Sequence, residues 1–99
     1  MRESTIQKQI IQWLQKCGAK VYNEHGDGYT RRGKPDIIAC VQGRFVAVEC
    51  KAPGENPTPL QLRELDQIRR AGGVAFVAHS LEEAQAAIHD QFGGCVINV

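Results

Sequence analysis

The stretch from Gly33 to Lys51, G-K-P-D-I-I-A-C-V-Q-G-R-F-V-A-V-E-C-K, constrains this chain more than any other. Two apolar runs, Ile37 to Val41 and Phe45 to Cys50, flank Gln42-Gly43, a pair that can turn tightly. Such runs joined by two turn residues predict an antiparallel hairpin. With Gln42 and Gly43 as the loop, Val41 faces Arg44, and counting outward sets Asp36 opposite Glu49. Opposed residues hold their Cβ atoms roughly 4.5–5.5 Å apart on one face, and alternation along the strand brings Lys51 to that face too. The register therefore predicts two carboxylates and an ammonium at one point.

Two like charges in a sheet are costly unless positive charge is supplied. A hard divalent cation such as Mg²⁺ supplies it and needs only one or two carboxylates, with waters and phosphate oxygens completing its shell. Lys51 adds a point charge suited to holding an attacking water or a phosphate. The same spacing also suits an acidic strand end closed by one ordinary salt bridge. One further loop residue would turn Asp36 to the opposite face.

With 99 residues, the length predicts one domain over residues 1–99, able to bury a core but small for an enzyme that grips a long substrate. Assembly as a symmetric dimer is one remedy. Twelve Lys and Arg against 11 Asp and Glu leave a net charge of +1, so affinity for nucleic acid must come from charge distribution and metal rather than from a global field. Cys17, Cys40, Cys50 and Cys95 have no C-x-x-C or zinc-finger spacing and read as buried thiols. No segment resembles a signal peptide or reaches the ~18 apolar residues of a membrane span. A soluble protein of a reducing compartment, with no membrane partner, is the expectation.

Along the chain, Ser4-Thr5-Ile6-Gln7 is a capping-box pattern, with Ser4 as the cap and Gln7 reaching back, and Glu3 just before it. Ile6, Ile10, Trp13, Leu14 and Cys17 follow at helical spacing up to Gly18. Ala19 to Asn23 reads as a first strand. The polar loop from Glu24 to Lys34 carries Tyr29, Arg31, Arg32 and Lys34, a cluster suited to phosphate contacts with one stacking ring, or simply a solvated loop. Thr58-Pro59-Leu60-Gln61 opens a second helix: Thr58 caps, Pro59 takes the first turn and Gln61 closes the box. Leu62, Leu65 and Ile68 form its apolar stripe. Val74 to Ala78 reads as a buried parallel strand. Ser80 to Glu83 repeats the capping box before a helix bearing Leu81, Ala84, Ile88 and Phe92, stopped by Gly93-Gly94, with Cys95 to Val99 as a last edge strand. His79, His89, Glu82 and Glu83 read as capping and surface residues.

Pro35-Asp36, a short strand, then Glu49-Cys50-Lys51 resembles the P-D…E-x-K signature of the PD-(D/E)xK nuclease superfamily. Gly43-Arg44-Phe45-Val46-Ala47-Val48-Glu49, Lys51-Ala52-Pro53, Thr58-Pro59-Leu60-Gln61 and Ala71-Gly72-Gly73-Val74-Ala75 are similar to the virus-type replication-repair nuclease (VRR-NUC) family, and the likeness covers nearly the whole chain. It implies an α/β, restriction-endonuclease-like fold, a mixed β-sheet flanked by helices in the order α-β-β-β-α-β-α-β. It implies Mg²⁺-dependent hydrolysis of DNA, with Mn²⁺ able to substitute and no small-molecule cofactor. Asp36, Glu49 and the backbone carbonyl of Cys50 would be ligands, Glu3 a further one, and Lys51 and Gln61 would complete the catalytic set. It also implies a homodimer acting on branched DNA such as a Holliday junction, in a bacterial cytoplasm and of phage or prophage origin. A non-catalytic DNA-binding module of the same fold, or a nuclease acting on RNA, are the alternatives that Asp36→Ala and matched DNA and RNA substrates would separate.

Overall fold

The hairpin forms in the expected register. In a computed structural model, which describes residues 1–22 and 33–93, β2 (Ile37–Val41) pairs antiparallel with β3 (Arg44–Cys50), Val41 facing Arg44 and Ile37 facing Val48. Gln42 and Gly43 both have positive φ, 48° and 80°, the backbone that a tight two-residue turn requires. β1 (Lys20–Tyr22) joins the outer side of β2 antiparallel, and β4 (Val74–Ala78) joins β3 in parallel, giving a four-stranded mixed sheet in the order β1-β2-β3-β4. The expected edge strand from Cys95 to Val99 and the loop residues Tyr29, Arg31 and Arg32 lie outside the described residues.

Helix α1 (Glu3–Lys16) and helix α3 (Leu81–Phe92) cover one face of the sheet, and α2 (Pro59–Arg70) covers part of the other. The first face holds the main core: Ile6, Ile10 and Leu14 of α1 and Ala84 and Ile88 of α3 meet Ile37, Val41, Val46, Val48 and Cys50, nearly all fully buried. Each such Ile or Leu contributes about 1.5–3 kcal/mol of hydrophobic stabilisation. Arg44, at the hairpin turn, ties this layer to the end of α3 by donating to the Gln91 carbonyl at 2.9 Å and covering the Phe92 ring. On the second face the residues under α2 are small, Ala47 and Ala75, which lets Leu65 seat closely against the sheet. Gly73 has the same use: a Cβ there would lie 2.8 Å from a methyl of Ile68.

Three expectations are corrected. The first helix starts two residues earlier than the Ser4 box predicts. The carbonyl of Arg2 accepts from the Thr5 and Ile6 amides, so Arg2 is the N-cap, without a side-chain cap, and Glu3 is already helical. Leu62 is 48% exposed and leaves the apolar stripe of α2, because the inward position of the first turn is taken by Gln61, at i, i+4 and i+7 with Leu65 and Ile68. The cysteines are not uniformly buried: Cys50 is, Cys17 is half-buried, and Cys40 is exposed on the part of the second face that α2 leaves open. No helix among the described residues is long and apolar enough to cross a membrane.

The capping box of α3 is completed one residue outward. Ser80 Oγ accepts from the Glu83 amide at 3.0 Å, while Glu83 Oε1 accepts from the backbone and ring of His79, at 2.9 and 3.0 Å, instead of from Ser80. The other ring nitrogen of His79 lies 2.8 Å from the Glu55 carbonyl, in the connector between β3 and α2. Both ring nitrogens thus face acceptors, an arrangement that suits the doubly protonated imidazolium. These bonds to Glu83 and Glu55 raise the His79 pKa above 6.5, and His79 lowers that of Glu83 below 4.5. The histidine's contribution to stability is complete below its unfolded value and is lost as pH rises through the raised folded value. The glutamate's is present above 4.5 and is lost as pH falls through the lowered one. Thermal melts of wild type and His79→Ala should therefore differ most between about pH 5 and 6.5 and less as pH rises beyond, and equal differences at pH 5.5 and 9 would contradict this tie.

Candidate active site

The sheet delivers the site at the end of β3. Alternation sends Val46, Val48 and Cys50 into the main core and leaves Ala47 and Glu49 on the face under α2. Glu49 is consequently a carboxylate with only 2% exposure in a central strand. Asp36, one residue before β2, continues the register and sits beside it: Asp36 Oδ2 accepts from the Cys50 amide at 2.9 Å, and the two carboxyl groups are close enough to share a hydrogen bond. Lys51 follows, its Nζ 3.8 Å from Glu49 Oε2 and its side chain largely buried.

Helix α2 adds the fourth member. Thr58 is an N-cap with a complete box: its Oγ1 accepts from the Gln61 amide at 3.2 Å, and the Thr58 amide donates to Gln61 Oε1 at 2.8 Å. The same side chain uses its other end, Nε2, to donate to Glu49 Oε2 at 3.0 Å. The helix cap and the contact with Glu49 are made by one side chain, one by each end of the amide.

Burial, then the charge of Asp36, drives the Glu49 pKa from 4.5 up to about 8, against the opposing pull of Lys51. Cys50 is pushed up to about 12, by burial first and then by Asp36, Glu49 and Glu3, so its thiol is neutral and acts as a packing group. Glu3, on the first turn of α1, thus acts on both residues through its charge. It does not close a cage, since among the described residues no three His, Cys, Asp or Glu side chains come together at metal-ligand spacing. The same helix carries a residue that its capping pattern concealed: Gln7 Nε2 points to the Asp36 carbonyl at 3.5 Å, across 29 residues of chain. Lys34, half-buried, lies two residues before Asp36.

Oxygen donors of this kind fit a hard divalent cation. Glu49 Oε1 is buried and accepts no hydrogen bond from the described residues, and one oxygen of a desolvated carboxylate is thus available to a positive partner. The sign of the Glu49 shift also sets a pH dependence. Its folded pKa lies above the unfolded value, so its share of stability is intact below 4.5 and is lost as pH rises through about 8. In chelator, Glu49→Gln should melt at least about 4–8 °C above wild type near pH 9, worth about 1 kcal/mol or more, with the gap closing toward pH 4.5. A variant no more stable than wild type at pH 9 would show that this carboxylate is not strained.

Comparison with known proteins gives a consistent answer. The sequence profile of the family described as archaeal Holliday junction resolvase (Hjc) matches residues 2–92. "Putative nuclease p44" of Acyrthosiphon pisum secondary endosymbiont phage 1 is 41% identical over 81 residues, covering 81% of this chain and 85% of the phage protein. A solved structure described as a VRR_NUC domain superposes with a TM-score of 0.74 at 29% identity, covering 88% of this chain and 94% of the other. With a mixed sheet that delivers Asp36, Glu49 and Lys51 to one point, the chain belongs to the Holliday junction resolvase (Hjc) family and is a VRR-NUC-type nuclease of the PD-(D/E)xK superfamily.

Proposed function

We propose that this nuclease is a divalent-metal-dependent endodeoxyribonuclease that acts on branched DNA as a homodimer, with Mg²⁺ as its ion. The observation that carries the reading is Glu49: a carboxylate almost wholly buried, paired with a second carboxylate, with one oxygen that has no partner among the described residues. Such a group is expensive unless a cation completes it. Asp36, Glu49 and the Cys50 carbonyl would hold the ion, with Glu3 adding its negative charge to the site. A bound ion of this kind supplies Lewis acidity and acidifies an attacking water.

The chain's own residues do the rest. Lys51 Nζ, held near Glu49 Oε2, offers its remaining donors to an oxygen of the scissile phosphate, where charge grows as the water attacks. Gln61 fixes the Glu49 rotamer, and the Cys50 amide fixes that of Asp36, so both carboxylates are oriented before substrate arrives. Lys34, with Tyr29, Arg31 and Arg32 nearby in the chain, would contact flanking phosphates. The description of the matching family as a Holliday junction resolvase supports branched DNA as substrate, and two opposed strands need two sites, which a symmetric pair of protomers provides. The phage relative supports a phage or prophage origin, hence action in a bacterial cytoplasm.

The test is cleavage of a labelled four-way junction, matched linear duplex and matched RNA, each with Mg²⁺ and with chelator. Symmetric cuts confined to the junction, abolished by chelator and by Glu49→Ala, are expected, and Lys51→Ala should slow them on the order of 10²-fold. Cleavage that persists in chelator, or DNA binding by folded protein with no cleavage at all, would overturn the proposal. Gln61→Glu separates the two roles of that residue, because glutamate serves a capping box as well as glutamine does. It should keep the wild-type melting temperature at pH 5 and lower cleavage roughly tenfold by setting a carboxylate against Glu49.

A further inference from the structure

Beside the carboxylates, the start of α2 carries an apolar feature that the catalytic reading does not use. Leu60, the second residue of the helix, is 44% exposed. It forms a ridge between two depressions. One is a cleft of about 380 Å³ lined by Gly33, Thr58, Leu60 and Gln61. The other, about 170 Å³, is lined by Leu60, Arg63, Glu64 and Gln67.

The first cleft belongs to the neighbourhood of the active site by both of its walls. Gln61 is the residue whose amide holds Glu49, and Gly33 lies three residues before Asp36. Gly33 is pressed against the ridge: its φ is +83°, and a Cβ there would lie 3.0 Å from both Leu60 Cγ and the Leu60 carbonyl oxygen. The capping box at Thr58 and the proline at the helix start fix the backbone that carries Leu60. The ridge is therefore held in place from both sides.

A leucine gains nothing from a phosphate. The apolar surface that DNA can present is the face of a base, and a base exposes its face only where the stack is broken. Volume also favours this occupant, since the larger depression falls within the usual range for small-ligand clefts. Arg63, on the far side of the ridge, is exposed and suited to the backbone of the flanking nucleotide.

We propose that Leu60 is a specificity-determining wedge, against which a base next to the scissile phosphate leaves the stack and enters the cleft between Gly33 and Gln61. The preference for branched DNA would then arise at this ridge, because a base at a branch point costs less to unstack than one inside a continuous duplex. The inference rests on the proposed nuclease function for its substrate.

The test places 2-aminopurine at the branch point of a four-way junction and, separately, inside linear duplex, and reads fluorescence on binding alongside cleavage of each DNA. Wild type should raise the junction signal several-fold, Leu60→Ala should lose most of that rise, and Leu60→Met should restore it. Leu60→Ala should also lower the ratio of junction to linear-duplex cleavage by at least about tenfold. Because Leu60 is exposed, these variants should fold, and their melts check it. Cleavage by wild type with a fluorescence rise that Leu60→Ala leaves intact would overturn the wedge and keep the nuclease. A wild type that unstacks the probe through Leu60 but cleaves nothing would overturn the nuclease reading and keep the wedge.

Discussion

A carboxylate buried in a central strand is the constraint on which this structure turns. Glu49 sits between residues that the main core claims, Val48 on one side and Cys50 on the other, both fully buried beneath α1 and α3. Slipping β3 by one residue would send Glu49 into that core and bring Val48 and Cys50 out under α2. An ionised carboxylate there would cost several kcal/mol after relaxation. The register that makes the core and the register that makes the site are thus one and the same, set by the Gln42-Gly43 turn and enforced by burial on both faces.

The charge itself is tolerated because of what surrounds it. Lys51 lies 3.8 Å away, Gln61 donates one hydrogen bond, and the Cys50 amide draws the neighbouring Asp36 carboxylate into a bond of its own. These partners do not cancel the penalty, as the upward displacement of the Glu49 pKa to about 8 records. Stability is given up at this point and recovered elsewhere, in the Ile- and Val-rich layer under α1 and in helix starts that are properly capped. Local strain at a site, offset by a consistent remainder of the fold, is the pattern expected of a functional centre.

Much of this was legible in the amino-acid sequence because it depends on short-range pattern. The hairpin and its register follow from two apolar runs and a turn pair, the start of α2 from Thr58-Pro59 and Gln61, and β4 from an apolar run too short for a helix. The proximity of Asp36, Glu49 and Lys51 follows from counting. What escaped was whatever depends on which surface covers which. Leu62 shares the helical spacing of Leu65, but only the packed helix shows that Gln61 occupies the inward place. Cys40 alternates correctly along β2, yet α2 lies over β3 and β4 and leaves it in water. Gln7 matches a capping box, and its contact with Asp36 is created by a tertiary approach that no local pattern encodes.

Gln61 shows how closely the two levels are joined. Its carbonyl oxygen belongs to the helix start, since it accepts from the Thr58 amide, while its amide nitrogen belongs to the site, since it donates to Glu49. The first turn of α2 can therefore not fray without releasing the carboxylate, and the carboxylate cannot swing without disturbing the cap. Asparagine would be one methylene too short to span both partners, and glutamate could serve only one of them. Asp36 is fixed in the same manner, by the backbone of the strand that carries Glu49. The two carboxylates are held by hydrogen bonds to a helix start and a central strand, the rigid parts of the fold. Catalytic groups anchored in this way keep their geometry without help from the substrate.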